Sequence, residues 1–238
     1  TDLVDTVNRD IINAKNFSKL VQKAGISDDT TVVLYGDKNN WFAAWGAWIF
    51  NIYGQKDVRV LDGGRVKWEK DGRPLTTAVP TFAAGNFTAT KQDRSIRATL
   101  IKDVLPVAKK RAKADLIDIR GADEFNGKVF AAPGFQELAV RAGHIPGAIN
   151  VPWGANVNAD GTFKTVAELK KLYADKGVDG KQNIITYCRI GERSSLTWFV
   201  LSEILGYNVK NYDGSWTEYG NTVGVPIINN AGTIWGAQ

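Results

Sequence analysis

The amino-acid sequence predicts an α/β protein of two copies of one domain, each a parallel sheet flanked by helices, with the first copy N-terminally incomplete. Three observations predict it. Short β-branched runs alternate with helix-period segments along the 238 residues. The connections between them are short, as in parallel sheets covered on both faces. One strand, loop and helix order occurs twice.

In the first copy, residues 13–24 set Phe17, Leu20 and Val21 at helical spacing and stop at Gly25. Residues 31–35 are a β-branched strand, residues 36–40 a polar loop, and residues 41–53 a very apolar helix closed by Gly54. Residues 58–61 form the next strand, ahead of Asp62-Gly63-Gly64. Residues 76–93 carry turn chemistry and weak periodicity.

The second copy opens with a helix over residues 100–111, in which Pro106 should kink or interrupt the first turns, and a strand at 115–119. Thr165 and Glu168 make a capping box for a helix ending at Lys176-Gly177. Residues 183–187 are then a strand, 188–193 a loop, and 194–205 an apolar helix stopped by Gly206. Tyr35 aligns with Tyr187, Gly54 with Gly206, Asp62-Gly63 with Asp213-Gly214 and Pro74 with Pro226, with one residue of slippage on each side of the Asp-Gly pair. The expected domains are residues 1–78, a partial copy without a cysteine, a linker at 79–94, and a catalytic copy at 95–238. About 70 residues separate the Asp118 strand from Cys188, whereas 35 residues precede Gly36, its counterpart. The first copy thus lacks an opening strand, and a preceding segment is expected to be missing from this sequence. The absence of methionine agrees with that expectation.

Composition narrows the function. With 44% apolar and 23% charged residues the chain is an ordinary globular protein. No run nears the ~18 apolar residues of a membrane span, and residues 1–5 lack the features of a secretory signal, so a cytoplasmic protein without a membrane partner is expected. Any targeting segment would have stood at the missing end. One cysteine and one histidine exclude an internal disulfide and leave little for a metal, so neither metal nor cofactor is expected. The net charge of +5 is dispersed, and its one run, Lys109-Lys110-Arg111, reads as a solvated helix end. No nucleic-acid partner is expected; a small anionic substrate is.

The chemistry concentrates in residues 187–195, Tyr-Cys-Arg-Ile-Gly-Glu-Arg-Ser-Ser. A buried strand delivers Cys188 to the carboxyl end of a parallel sheet, where open α/β sheets place ligands. Successive loop amides and the start of the following helix form an anion cradle, and Arg189 and Arg193 add positive charge. Such surroundings favour the nucleophilic thiolate. A lone cysteine at a strand end is more often a small buried hydrophobe. Two arginines, a loop glycine and an apolar helix in sequence behind it reverse that preference.

These residues resemble the tandem rhodanese-domain sulfurtransferases, especially the actinobacterial-type thiosulfate sulfurtransferases. The resemblance spans essentially the whole chain. Residues 141–150, Arg-Ala-Gly-His-Ile-Pro-Gly-Ala-Ile-Asn, are similar to the family's signature, residues 116–120 to the strand end facing the active loop, and residues 211–216 to its closing motif. The resemblance implies that Cys188 carries a persulfide, loaded from thiosulfate or a similar anionic donor and discharged to cyanide or a thiol. It implies donor binding by Arg189, Ile190, Gly191, Glu192, Arg193 and Arg141, with Asp118, Arg120 and Ser194 in support. Arg193 has an equal alternative as the partner of a carboxylate such as Asp118 or Glu192. Asp118 and Arg120 are read as an ion pair buttressing the loop, and Arg141 has a surface role as its rival. His144 reads as structural in a Gly-Pro turn, in preference to a Cys-His dyad.

Three other functions are weighed. A cysteine phosphatase shares the fold but needs Cys-x5-Arg, and Arg193 stands five residues after Cys188, one too few. A 3-mercaptopyruvate sulfurtransferase would resemble Cys-Gly-Ser-Gly, against the cationic Arg189 here. A catalytically silent binding module is disfavoured by the presence of Cys188.

Overall fold

A computed structural model describes residues 2–134, 136 and 139–234. It divides into two units, residues 1–94 with 159–162, and residues 95–158 with 163–238.

The first unit begins with an antiparallel pair, β1 (Val4–Asp5) and β2 (Asp10–Ile11). Helix α1 (Ala14–Lys23) is capped by Asn13, whose side chain accepts from the Asn16 amide, and Gly25 follows it at φ +80°. Strands β3 (Val32–Leu34) and β4 (Val58–Val60) run parallel, joined by α2 (Trp41–Ile52) and followed by α3 (Gly64–Lys70). Phe17 lies at the centre of the aromatic core, 5.1 Å from Phe50, 4.8 Å from Tyr53 and 5.8 Å from Phe87 between ring centroids. Residues 79–94, read as a linker, form no helix or strand, yet they lie along this unit. The Gly85 amide donates to Gln22 O, and Phe87 is buried beside Phe17.

The second unit carries β5 (Arg97–Ala98), α4 (Leu105–Ala108), β6 (Asp115–Asp118), α5 (Ala122–Phe125), β7 (Ile149–Asn150), α6 (Val166–Ala174), β8 (Ile184–Tyr187), α7 (Ser194–Phe199), β9 (Val209–Tyr212) and α8 (Ser215–Asn221). Its five strands are all parallel in the order β5-β9-β8-β6-β7. The helix expected over residues 100–111 is irregular in its first turns: Leu100–Val104 form a π-type turn, and the α-helical part, α4, begins only at Leu105 with Pro106 in its first turn and ends at Ala108. The capping box at Thr165 forms as expected, the Glu168 carboxylate accepting from the Thr165 amide at 2.9 Å. The apolar helix after the cysteine loop runs α-helical over α7 and continues as a π-type turn through Ile204.

Leu116, Ile185, Tyr187 and Tyr212 of the sheet share one buried cluster with Trp216 and Tyr219 of α8 and with Leu100 and Val104. The central strands β6 and β8 are buried along nearly their whole length, which explains why they read as continuous apolar runs. Both units share one order of elements, strand, loop, apolar helix, strand, Asp-Gly and short helix. It is β3-α2-β4-α3 in the first and β8-α7-β9-α8 in the second. Among the described residues, no helix is long and apolar enough to cross a membrane.

Candidate active site: the cysteine loop at the carboxyl edge of the sheet

Strand β8 ends at Tyr187, and the next residue, Cys188, is fully buried. Its Sγ accepts a hydrogen bond from the Gly191 amide at 3.1 Å. The backbone thus curls around the sulfur within three residues. Gly191 permits this turn with φ +87°, and a Cβ there would lie 2.5 Å from Asp213 O.

Polar groups behind the loop hold it in this curl. Gly191 O accepts from Ser195 Oγ and from Asn211 Nδ2, each at 3.0 Å, with Ser194 Oγ at the same distance. Asn211 also reaches both serines, at 2.6 Å to Ser194 Oγ and 3.0 Å to Ser195 Oγ. A carbonyl gripped this way turns the Gly191–Glu192 peptide plane in one direction. Ser194 therefore contacts the loop through the Gly191 carbonyl.

The charged residues separate by role. Arg189 extends from the loop and donates to Gln136 O at 2.6 Å. Ile190 and Glu192 are part-buried beside it. Arg193 is buried, and its carboxylate partner is Glu124, with 3.5 Å between Arg193 Nη2 and Glu124 Oε1. That pairing is by charge. Glu124 Oε1 accepts no hydrogen bond among the described residues, and Oε2 accepts from the Gly121 amide at the start of α5. The pairing expectation for Arg193 is thus met by a different carboxylate from Asp118 or Glu192. Sequence reasoning missed Glu124 because it lies some 70 residues away in the chain.

Asp118 and Arg120 form a buried two-pronged pair, Nε to Oδ1 at 3.0 Å and Nη2 to Oδ2 at 2.6 Å. Arg120 Nη2 also donates to Gly143 O at 2.7 Å, and its guanidinium lies 4.7 Å from the Trp216 ring centroid. Burial disfavours the Arg120 charge, but Asp118 outweighs it and the net effect is a raised pKa. Arg120 therefore keeps its charge beside Asp118, and the pair links the end of β6 to the Gly143 carbonyl and the Tyr187 and Trp216 rings.

Arg141 is not brought to the loop. Its guanidinium donates to four carbonyls at the end of α8, those of Gly220, Val225, Tyr219 and Thr222, at 2.7–3.0 Å. It stitches the α8 terminus to the segment after it. His144 stacks on Phe125 with centroids 3.6 Å apart, its Nδ1 sits 2.7 Å from Phe125 O, and burial lowers its pKa. This is a structural histidine.

A parallel sheet that presents one cysteine to the Gly191 amide of its own loop, with a buried Asp118-Arg120 pair on the neighbouring strand end, defines a thiol-centred α/β site of the sulfur-transfer type. The rhodanese-like domain family matches residues 6–71 and 104–222, and the chain belongs to that family. A protein of Mycolicibacterium smegmatis named "Putative thiosulfate sulfurtransferase" is 54% identical over 229 residues, 95% of this chain and 81% of its own length. The sulfur carrier protein TtuD of Thermus thermophilus is 52% identical over 231 residues, covering 95% and 80%. Among solved structures, the 3-mercaptopyruvate sulfotransferase SseA of Escherichia coli superposes with a TM-score of 0.76 at 28% identity, over 90% of this chain and 78% of its own.

Proposed function

We propose that this protein is a thiosulfate sulfurtransferase in which Cys188 carries the sulfur. One observation carries the reading: the Gly191 N–H is aimed at Cys188 Sγ from 3.1 Å, inside a loop that ends in a held arginine. An amide donor on sulfur stabilises the thiolate and, after loading, the persulfide anion.

The steps follow by double displacement. The Cys188 thiolate attacks the outer sulfur of thiosulfate, a sulfur–sulfur bond forms at Cys188, and sulfite leaves with the electron pair of the broken bond. Cyanide or a thiolate then attacks the terminal sulfur and takes it, returning Cys188 as the thiolate. Arg189 binds the dianionic donor, and Ile190, Gly191 and Glu192 shape the loop around the sulfur. Arg193, balanced by Glu124, holds the far end of the loop in place. Arg141 has no part in donor binding. The lone thiol suits a reducing compartment such as the cytoplasm, where free thiols serve as acceptors.

Thiosulfate is preferred over 3-mercaptopyruvate because the residue after the cysteine is the cationic Arg189. Intact mass measurement after thiosulfate treatment is expected to show a gain of one sulfur, lost again on adding cyanide and absent in Cys188→Ser. A wild-type mass that does not change would overturn the proposal, and equal or faster turnover with 3-mercaptopyruvate would overturn the choice of donor.

A further inference from the structure

The two units provide an internal comparison at the junction between the last strand and its short helix. Asp62-Gly63-Gly64 leads into α3, and Asp213-Gly214-Ser215 leads into α8. The third residue of each is left-handed, Gly64 at φ +58° and Ser215 at φ +51°. Glycine adopts that conformation without penalty, whereas a serine there is strained. Both junctions hold the loop opposite by the same backbone bond. The Arg65 amide donates to Gly36 O at 3.1 Å, and the Trp216 amide donates to Cys188 O at 3.0 Å.

The units differ in what holds the amide of the loop's first residue. In the first unit the Gly36 amide donates to Asn40 Oδ1, from within its own loop, at 3.0 Å. In the second, the Cys188 amide donates to Ser215 Oγ at 3.1 Å, and that hydroxyl donates onward to Tyr212 O at 2.7 Å. The strained serine is therefore the residue that ties the cysteine to β9. The Thr217 amide extends the grip by donating to Arg189 O at 2.9 Å. Asp213, whose carbonyl closes on Gly191, is itself held by Arg97 at 3.3 Å.

We propose that Ser215 is the positioning residue of the sulfur-carrying cysteine: its hydroxyl fixes the Cys188 amide against β9 and so sets Sγ to meet the Gly191 amide. This rests on the reading of Cys188 as the sulfur carrier. With its amide held in this way, the Cys188 side chain has one set direction, toward the Gly191 amide. Backbone strain kept at a site where glycine would fit marks a position held for its side chain. Small displacements of a reacting atom are costly, so loss of the tie should appear in rate before it appears in affinity.

The test pairs Ser215→Gly with Ser215→Ala. Both remove the hydroxyl, but glycine relieves the left-handed strain and alanine keeps it. Thermal melting is expected to rank the glycine variant above the alanine variant. Cys188 alkylation by iodoacetamide, and kcat for sulfur transfer from thiosulfate, are expected to fall about ten-fold in both, with KM for thiosulfate little changed. Wild-type rates in Ser215→Gly would overturn the proposal, since the backbone alone would then suffice. Rates that merely follow melting temperature would overturn it too. Should the wild-type protein take no sulfur from thiosulfate, the functional reading fails, and the alkylation rates still decide the role of Ser215.

Discussion

Arg189 and Arg141 are both cationic side chains of the family motifs, and the structure gives them opposite employment. Arg189 leaves the loop next to Cys188 and spends one N–H on Gln136 O. Arg141 commits its guanidinium to four backbone carbonyls around the end of α8. A guanidinium has five N–H donors in a fixed fork, so Arg141 has little left for a dianion. Replacing Arg189 by alanine is expected to raise KM for thiosulfate about ten-fold, the loss of one charge-assisted contact. Replacing Arg141 by alanine should leave KM alone and lower stability by about 2–4 kcal/mol, because buried carbonyls lose charged donors. Steady-state kinetics with urea denaturation on both variants checks this. A raised KM in Arg141→Ala with unchanged stability would return that arginine to the donor site.

At the scale of elements, the loop between β8 and α7 owes its shape to residues that follow it in the chain. Gly191 illustrates this. Its φ of +87° and the 2.5 Å gap that a Cβ would leave to Asp213 O both exclude a side chain. Gly191→Ala is expected to cost about 1–3 kcal/mol in strain and to abolish sulfur loading, because the loop must open to admit the methyl group. Calorimetry combined with mass measurement of the loaded thiol tests it; a loaded alanine variant would refute the closed loop. Much of this was legible in the sequence, because strand, loop and helix signals are local. The apolar run of β8, the glycine of the loop, the capping box at Thr165 and the repeat of Asp-Gly all rest on neighbours within a few residues. The partners of the charged groups were not legible. Glu124 meets Arg193, and Ser215 meets the Cys188 amide, only once the parallel sheet sets β6, β8 and β9 side by side. Arg141 misled for the same reason. Its place in a signature motif says where it lies in the chain, and nothing of the carbonyls that α8 brings to it.

For the molecule as a whole, a single histidine makes one pH window readable. His144 is the only histidine, and burial, opposed in part by its contact with Phe125 O, lowers its pKa below the ordinary 6.5. Above about pH 6.5 the imidazole is neutral in both folded and unfolded chains, so its contribution to stability is fully present. Between that pH and the lower folded value the unfolded chain binds a proton that the folded chain refuses. Stability therefore falls as pH drops through this interval, by at most about 1.4 kcal/mol per pH unit for one group. Ordinary carboxylates titrate near pH 4, so the stretch from pH 6.5 down to about 5 reports chiefly on this ring. Urea midpoints at pH 7.5 and 5.5 should differ in the wild-type protein and converge in His144→Asn, even though the variant is less stable at both. An equal acid shift in both proteins would assign the loss to other groups and show that the ring stacked on Phe125 accepts a proton without opening the fold.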